Sequence, residues 1–121
     1  MTNNKKTLVI GASENPARYS NQAIHSLRNR GHHVVALAKR MGQVSDVAIQ
    51  TEFPEDPIHT VSLYVGPQRQ PEYYSKVLGL NPQRVIFNPG TENPEFEALL
   101  EENGIEAIQA CTLVMLSIGN Y

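Results

Sequence analysis

Short apolar runs, separated by polar segments rich in Gly and Pro, give the chain a regular alternation of predicted elements. The runs are rich in β-branched residues and lack the period-two alternation of a half-exposed strand, so they predict strands covered on both faces. Five strands are predicted, at residues 7–10, 33–38, 59–65, 84–88 and 105–110.

Apolar residues at helical spacing fill the intervals between most of these strands. A helix is predicted from about Tyr19 to Arg30, with Ser20 or Asn21 as its cap and Gly31 as its stop. A second is predicted from Pro71 to Leu78, stopping at Gly79, and a third from Asn93 to Gly104. Residues 39–57 are predicted to be irregular, and the tail 111–121 to contain a short helix.

Strands that alternate with helices require right-handed crossovers and a parallel sheet with helices on both faces. The pattern therefore predicts a Rossmann-like, three-layer α/β fold with a mostly parallel, five-stranded sheet. A length of 121 residues fits one domain, and neither a repeat nor a linker divides the chain. We expect a single domain over residues 1–121.

The composition, with 40% apolar and 18% charged residues, is that of a globular protein rather than a disordered chain. No apolar stretch approaches the roughly 20 residues that span a bilayer, so no membrane association is expected. The start MTNNKK meets an apolar run of only four residues, which does not support a secretory signal. A single cysteine, Cys111, cannot form an internal disulfide, which favours a reducing, cytoplasmic setting.

The net charge of −2 conceals an uneven distribution of charge along the chain. Residues 1–40 carry seven basic and one acidic side chain, a net +6, whereas residues 41–121 carry three basic and eleven acidic ones, a net −8. This distribution is compatible with an anionic ligand for the basic part, or with chance placement on solvated faces. The acidic remainder, and the lack of any nucleic-acid-binding motif, argue against a nucleic-acid partner.

The loop after the first predicted strand, Gly11–Arg18, is the first place to expect binding chemistry. In an open parallel sheet, ligands bind at the carboxyl ends of the strands, where loop N–H groups and a helix N-terminus hold phosphate. Gly11 permits a tight turn, Ala12 and Ser13 permit close backbone approach, and Arg18 supplies a charge. The loop lacks both the G-x-G-x-x-G pattern and a Gly-Lys-Ser/Thr sequence, and a plain structural turn is the alternative.

Lys39 and Arg40 follow the second strand, where NAD-binding proteins carry an acidic residue for the ribose hydroxyls. Two cations there would attract a phosphate on the adenosine ribose, which favours NADP or coenzyme A over NAD or FAD. A solvated basic loop is the alternative interpretation.

The third and fourth strands end in Gly and Pro, which keep side chains out of a cleft and fix the loop path. These residues are Gly66 and Pro67 after one strand, and Pro89 and Gly90, which follow Asn88, after the other. Asn88 and Thr91 offer hydrogen-bonding groups to a ligand, although ordinary turn chemistry explains either residue equally well.

Several of these segments together match one family. The sequence V-I-G-A-S-x-N-P-x-R at 9–18, N-P-G-T-x-N at 88–93 and a cysteine after the fifth strand resemble the small stand-alone CoA-binding domain proteins. These are similar to the CoA-binding domains of the succinyl-CoA synthetase α subunit and of ADP-forming acyl-CoA synthetases. The resemblance covers about residues 6–116.

The resemblance implies a binding site for coenzyme A or an acyl-CoA along the predicted carboxyl edge of the sheet. Gly11, Ala12 and Ser13 would face the phosphates, with Asn15 in the same motif and Arg18 closing the site. Lys39, with Arg40 beside it, would stand near the 3′-phosphate. The remaining implied contacts are Val65, Gly66 and Pro67 along the adenine or pantetheine path, and Pro89 and Gly90 near the thiol end. Asn88, which precedes them, stays a candidate contact through its amide. The chain departs from the family where Ala38-Lys39 replaces an Asn-Pro pair and where Asn88 replaces Gln.

Three functions remain open at this point. The first is a CoA-binding or acyl-CoA-binding module without catalysis of its own, which would serve as a carrier, a sensor or the partner of an enzyme. The second is an NADP-dependent reductase, for which the chain is short of a substrate domain. The third is a small thioester enzyme that uses Cys111, although no histidine is predicted nearby. The apolar tail 113–116 and an exposed edge strand are compatible with a homodimer, although burial of the tail inside the monomer explains its composition equally well.

Overall fold

The computed structural model describes residues 4–121, so the first three residues of the predicted domain lie outside it. Within that range, a single seven-stranded sheet has β1, the first strand, at its centre. The strands are β1 Thr7–Ile10, β2 Val34–Leu37, β3 Gly42–Val44, β4 Val47–Gln50, β5 Thr60–Leu63, β6 Arg84–Phe87 and β7 Glu106–Gln109. Their order is β3-β4-β2-β1-β5-β6-β7. Every neighbouring pair is parallel except β3 and β4.

Helices connect the parallel strands. They are α1 Tyr19–Asn29, α2 Tyr74–Leu80, α3 Pro94–Glu102 and α4 Thr112–Ser117. Two 3-10 turns, Pro67–Arg69 and Pro71–Tyr73, lie between β5 and α2. None of the helices in residues 4–121 is long and apolar enough to cross a membrane.

Apolar side chains fill a layer on each face of the sheet. Along β1, Leu8 and Ile10 point to one face and pack with Phe96 of α3, whereas Val9 points to the other and packs with Ile24 of α1. This alternation with burial on both faces is what the continuous apolar runs predicted. The α/β class and the three-layer, mostly parallel architecture are therefore confirmed.

The predicted strand number is wrong by two, because the segment 39–57 contains a β-hairpin at the sheet edge. β3 and β4 pair in antiparallel register through a turn in which Ser45 has a φ of 56°. Val47 and Ile49 are buried, whereas Ala48 and Gln50 are exposed. This period-two pattern lasts only four residues, which is too short to identify a strand in sequence, and pairing with β2 decides the conformation.

Two helix termini differ from the sequence prediction. The 71–78 helix begins as a 3-10 turn and continues to Leu80, because Asn81 rather than Gly79 adopts the left-handed conformation that ends it. At the start of α1, Arg18 is the N-cap residue and no side chain caps the helix. The stop at Gly31 is confirmed, with a φ of 85° just beyond the helix.

At the amino ends of the strands, Tyr121 packs among cationic and imidazole side chains. Its phenol oxygen lies 2.6 Å from Thr7 Oγ1, and its ring lies 5.0 Å from the ring of His32 and 4.5 Å from the guanidinium of Arg84. Lys5 Nζ donates to the Tyr121 backbone oxygen at 2.6 Å. This contact ties the tail after α4 to the start of β1.

Two histidines at this edge of the sheet, His32 and His59, predict that the protein loses stability in mild acid. Burial lowers the pKa of His32 and of His59, and the nearby cations Lys5 and Arg84 lower both further. The unfolded chain therefore binds protons at these sites more readily, and the free energy of unfolding should fall as pH drops through about 6.5 and below.

Urea unfolding at a series of pH values tests this expectation. H32N and H59N each replace the imidazole Nδ1 with an amide oxygen, which accepts a hydrogen bond but does not titrate. The double variant should lose part of the pH dependence between about 7.5 and 5.5. H25N, at an exposed position of α1, is the matched control and should retain it. Identical pH dependence in the double variant and the wild type would contradict the assignment.

Candidate functional site

A cleft of about 1160 Å³ opens at the carboxyl ends of the central strands. β2 lies beside β1 on one side and β5 lies beside it on the other. The loops that follow these strands therefore run in opposite directions and leave a crevice between them. Ligands bind at such a topological switch point in open α/β sheets. The walls come from the loops that follow β1, β2, β5 and β6.

The structure brings most of the sequence-predicted site residues together in this cleft. The predicted residues that line it are Gly11, Ala12, Ser13, Asn15, Arg18, Lys39, Arg40, Val65, Gly66, Pro89, Gly90 and Thr91. Pro67 and Asn88 do not line it. Pro67 opens a 3-10 turn behind Gly66, and Asn88 is buried beneath the floor with 1% of its surface exposed.

Gly11 determines how closely the first loop follows the sheet. Its φ is +96°, and a Cβ there would lie 3.0 Å from the backbone carbon of Tyr64. Both facts exclude larger residues without strain. The glycine therefore lets the loop turn against the end of β5.

The hydrogen bonds of this loop change the expected set of phosphate donors. The N–H groups of Gly11 and Ala12 both donate to the carbonyl of Leu37, at 2.9 and 3.1 Å, and so extend the β1–β2 pairing. They are not directed at a ligand. The contribution of these two residues is the space they leave, because neither has a side chain beyond Cβ.

Further along the loop, the backbone donors that remain are grouped near the start of α1. The Asn15 N–H donates to Ser13 Oγ at 3.1 Å, and the Ala17 N–H donates to Asn15 Oδ1 at 3.0 Å. The N–H groups of Ser13 and of the first three residues of α1, Tyr19 to Asn21, have no hydrogen-bond partner among residues 4–121, whereas the Gln22 N–H donates to the Arg18 carbonyl. Unpaired N–H groups at a helix N-terminus attract an anion.

Four cationic side chains and one carboxylate line the cleft. Arg18, Arg40 and Arg69 form no ion pair with any described residue. Lys39 is different, because its Nζ pairs with Glu72 of the second 3-10 turn. This ion pair raises the pKa of Lys39 and lowers that of Glu72, mainly through the hydrogen bond between them.

The one lining carboxylate, Glu14, is already engaged. Its Oε2 accepts the N–H of Gln43 at 2.9 Å, which joins the β1–α1 loop to β3. Gly42 makes room for this contact, because a Cβ there would lie 2.7 Å from Glu14 Cδ. Glu14 therefore closes one side of the cleft, with one of its two carboxylate oxygens hydrogen-bonded.

Two buried amides hold the floor of the cleft. Asn88 Nδ2 donates to Ser62 Oγ and to the Leu63 carbonyl, and its Oδ1 accepts the N–H of Thr112. Its side chain is fully engaged, so the structure assigns it to holding the strand ends rather than to touching a ligand. Gln70 Nε2 donates to the carbonyls of Val65 and Thr91, which ties the β5 and β6 loops together.

Several other residues that line the cleft are not predicted from the sequence. Arg69 follows Gly66-Pro67 closely and could have been found as a cation just beyond a strand end. Tyr19 and Met41 are 69% and 79% exposed and carried no signal, because their place at the rim depends on how the loops fold. Tyr64 also lines the cleft, but its hydroxyl is buried without a hydrogen-bond partner among residues 4–121, and burial raises its pKa to about 12.

The groups that would support thioester or phosphoryl-transfer chemistry lie elsewhere. Cys111 is half-buried at the N-terminus of α4 and does not line the cleft. None of the four histidines lines it either. Among residues 4–121, no cluster of His, Cys, Asp and Glu is arranged to hold a metal ion.

Comparison with solved structures shows how widely this fold and its sequence are shared. The crystal structure of an uncharacterized protein is 45% identical, with a TM-score of 0.94 and 98% of each chain covered. A protein from Thermus thermophilus, cell-free ID.343, is 24% identical, with a TM-score of 0.87 over 98% of this chain and 91% of that one. A hypothetical protein from Pyrococcus horikoshii OT3 is also 24% identical, with a TM-score of 0.87 over 97% and 84%. The last two likenesses concern the fold alone.

A family model identifies the family of the chain, which the names of these structures do not. No match was found among curated proteins. The model described as a CoA binding domain matches residues 5–117, which includes every loop of the cleft and nearly the whole chain. The chain therefore belongs to the family of CoA binding domains.

Proposed function

We propose that the protein, as the single domain predicted over residues 1–121, binds coenzyme A or an acyl-CoA in the cleft at the carboxyl edge of its sheet. The observation that carries this proposal is the set of cations around one crevice: Arg18, Arg40 and Arg69 lie there without a carboxylate partner among residues 4–121. Coenzyme A carries a diphosphate and a 3′-phosphate, so its charge complements this set.

Within the cleft, we place the diphosphate at the N-terminus of α1. The unpaired first-turn N–H groups, the Ser13 N–H and the Arg18 guanidinium are grouped there. Gly11 and Ala12 let the ligand approach the backbone closely, and Lys39 and Arg40 lie at the end of β2 for the 3′-phosphate. Val65, Gly66 and Pro67 would border the adenine or pantetheine path, with only the first two lining the cleft, and Pro89 and Gly90 would face the thiol end.

The lining residues support a binding module without catalysis of its own. They include no histidine or cysteine, and the one carboxylate, Glu14, accepts a backbone hydrogen bond from Gln43. Histidine is the general base that enzymes use most often, and cysteine is intrinsically a very strong nucleophile. The proposed role is to hold a CoA thioester for an enzyme partner, or in a homodimer, in a reducing, cytoplasmic setting.

Thermal unfolding with separate additions of CoA, acetyl-CoA, NADPH, NAD and FAD tests the proposal. CoA at about 100 times its Kd should add about 2.7 kcal/mol to the free energy of unfolding, whereas NAD and FAD should add little. NADPH is the decisive comparison, because its 2′-phosphate offers the same charge near Lys39. Stabilisation by NADPH without stabilisation by CoA would favour the NADP-dependent alternative and overturn the proposal.

A further inference from the structure

The ion pair between Lys39 and Glu72 spans the crevice that the ligand must enter. Lys39 follows β2, on one side of β1, whereas Glu72 lies in the 3-10 turn after β5, on the other side. The two residues are 33 positions apart in sequence, so only the tertiary fold brings them together. Their side chains are 60% and 48% exposed, which leaves the pair open to exchange with a ligand.

Neighbouring groups hold both partners in place. Tyr73 is 7% exposed and lines the cleft, and Lys39 Nζ lies 5.7 Å from the centroid of its ring. A cation within about 6 Å of an aromatic ring is attracted to its face. Gln70, fully buried beneath the same turn, fixes the backbone that carries Glu72. Loss of Glu72 would therefore leave Lys39 beside Tyr73, at the mouth of the cleft.

Lys39 is also the exception among the cations of the cleft. The arginines that line it pair with no carboxylate in residues 4–121, and the other two ion pairs of the described chain, Lys6–Asp56 and Arg28–Asp46, involve no residue that lines it. Lys39, the cation that we place nearest the 3′-phosphate, is thus the one whose charge is balanced by a carboxylate when no ligand is bound.

From this arrangement we infer that Glu72 lowers the affinity for CoA by competing with the ligand's 3′-phosphate for Lys39. A phosphate monoester offers a charge of about −1.5 to −2 and three acceptor oxygens, so it can displace the single negative charge of a carboxylate. A ligand without that phosphate leaves the pair intact. Glu72 therefore weakens the binding of CoA selectively, which makes the bound ligand easier to release. This inference rests on the proposed function.

Titration calorimetry with CoA and with 3′-dephospho-CoA, on the wild type and E72Q, tests the inference. E72Q should bind CoA about threefold to fivefold tighter, in line with the small free energies of exposed ion pairs. Its affinity for 3′-dephospho-CoA should stay within about twofold of the wild type, because that ligand does not engage Lys39. E101Q, an equal change of charge at an exposed position of α3 away from the cleft, is the matched control and should bind both ligands as the wild type does.

A second pair of variants tests whether the effect passes through Lys39. K39A should weaken CoA and leave 3′-dephospho-CoA unchanged, and E72Q should gain much less for CoA in the K39A background. Equal tightening of both ligands by E72Q, or no tightening of CoA, would overturn the inference while leaving CoA binding intact. Failure of the wild type to bind CoA would instead overturn the proposed function and the inference together.

Discussion

Replacement of Asn88 by leucine should lower the free energy of unfolding by about 3 kcal/mol or more. The wild-type amide makes three hydrogen bonds in the interior, at 2.9 Å to Ser62 Oγ, 2.8 Å to the Leu63 carbonyl and 2.9 Å from the Thr112 N–H. Leucine has a similar size but satisfies none of them, so a buried donor and a buried carbonyl lose their partner. Each such group costs about 1–3 kcal/mol.

Urea unfolding monitored by circular dichroism measures this loss. N103A is the matched control, because Asn103 is exposed and makes a single side-chain hydrogen bond, to the Leu99 carbonyl. That variant should lose less than about 0.5 kcal/mol. A loss below about 1 kcal/mol for N88L would show that the network is not the support we describe.

Replacement of Arg18 by alanine should weaken the binding of CoA about tenfold or more, with little effect on stability. Arg18 is exposed, lines the cleft beside the unpaired N–H groups of α1, and has no carboxylate partner among residues 4–121. A charge-assisted, two-point contact with phosphate is stronger than a neutral hydrogen bond. Removal of the guanidinium should therefore lower the affinity for CoA and leave the free energy of unfolding nearly unchanged.

Calorimetry at two salt concentrations gives this prediction a second readout. The ratio of the wild-type and R18A affinities should fall as salt rises, because screening weakens exposed charge interactions. R30A removes the same charge just past the opposite end of α1 and should leave the affinity for CoA unchanged. Equal weakening by R18A and R30A would mean that the overall charge of the chain, not a contact at the cleft, controls binding.

The sequence alone was enough for the elements whose burial is continuous. The sequence predicts β1, β2, β5 and β6 because each is an apolar run closed by turn residues, and that signal is local. It predicts β7 as well, although no residue of that edge strand is fully buried. The edge hairpin was missed, because its half-exposed strands become recognisable only when β4 pairs with β2. Similarly, the left-handed residue that ends α2 is Asn81, although Gly79 is intrinsically the better stop.

For the cleft, the sequence identified which loops take part but not what each residue does there. Parallel strands bring their carboxyl ends to one edge, so the sequence alone predicts that Gly11, Ser13, Arg18 and Lys39 lie together. Asn88 belongs to the same loops, yet its side chain is hydrogen-bonded to Ser62 and Thr112, which are its neighbours in space. Whether the Asn88 amide faces the cleft or the interior depends on hydrogen-bond partners that are distant in sequence, so no local sequence pattern predicts it.

The amino-acid sequence by itself determined the fold class, the basic character of residues 1–40 and the sheet edge at which the cleft lies. Each of these follows from periodicity, charge or chain order, which are properties of neighbours along the chain. Only the tertiary structure decided that the N–H groups of Gly11 and Ala12 donate to the Leu37 carbonyl. It also decided that Arg69 lines the cleft and that Glu72 forms an ion pair with Lys39. Those outcomes depend on contacts between residues distant in sequence, because hydrogen bonds and ion pairs are settled by proximity in space.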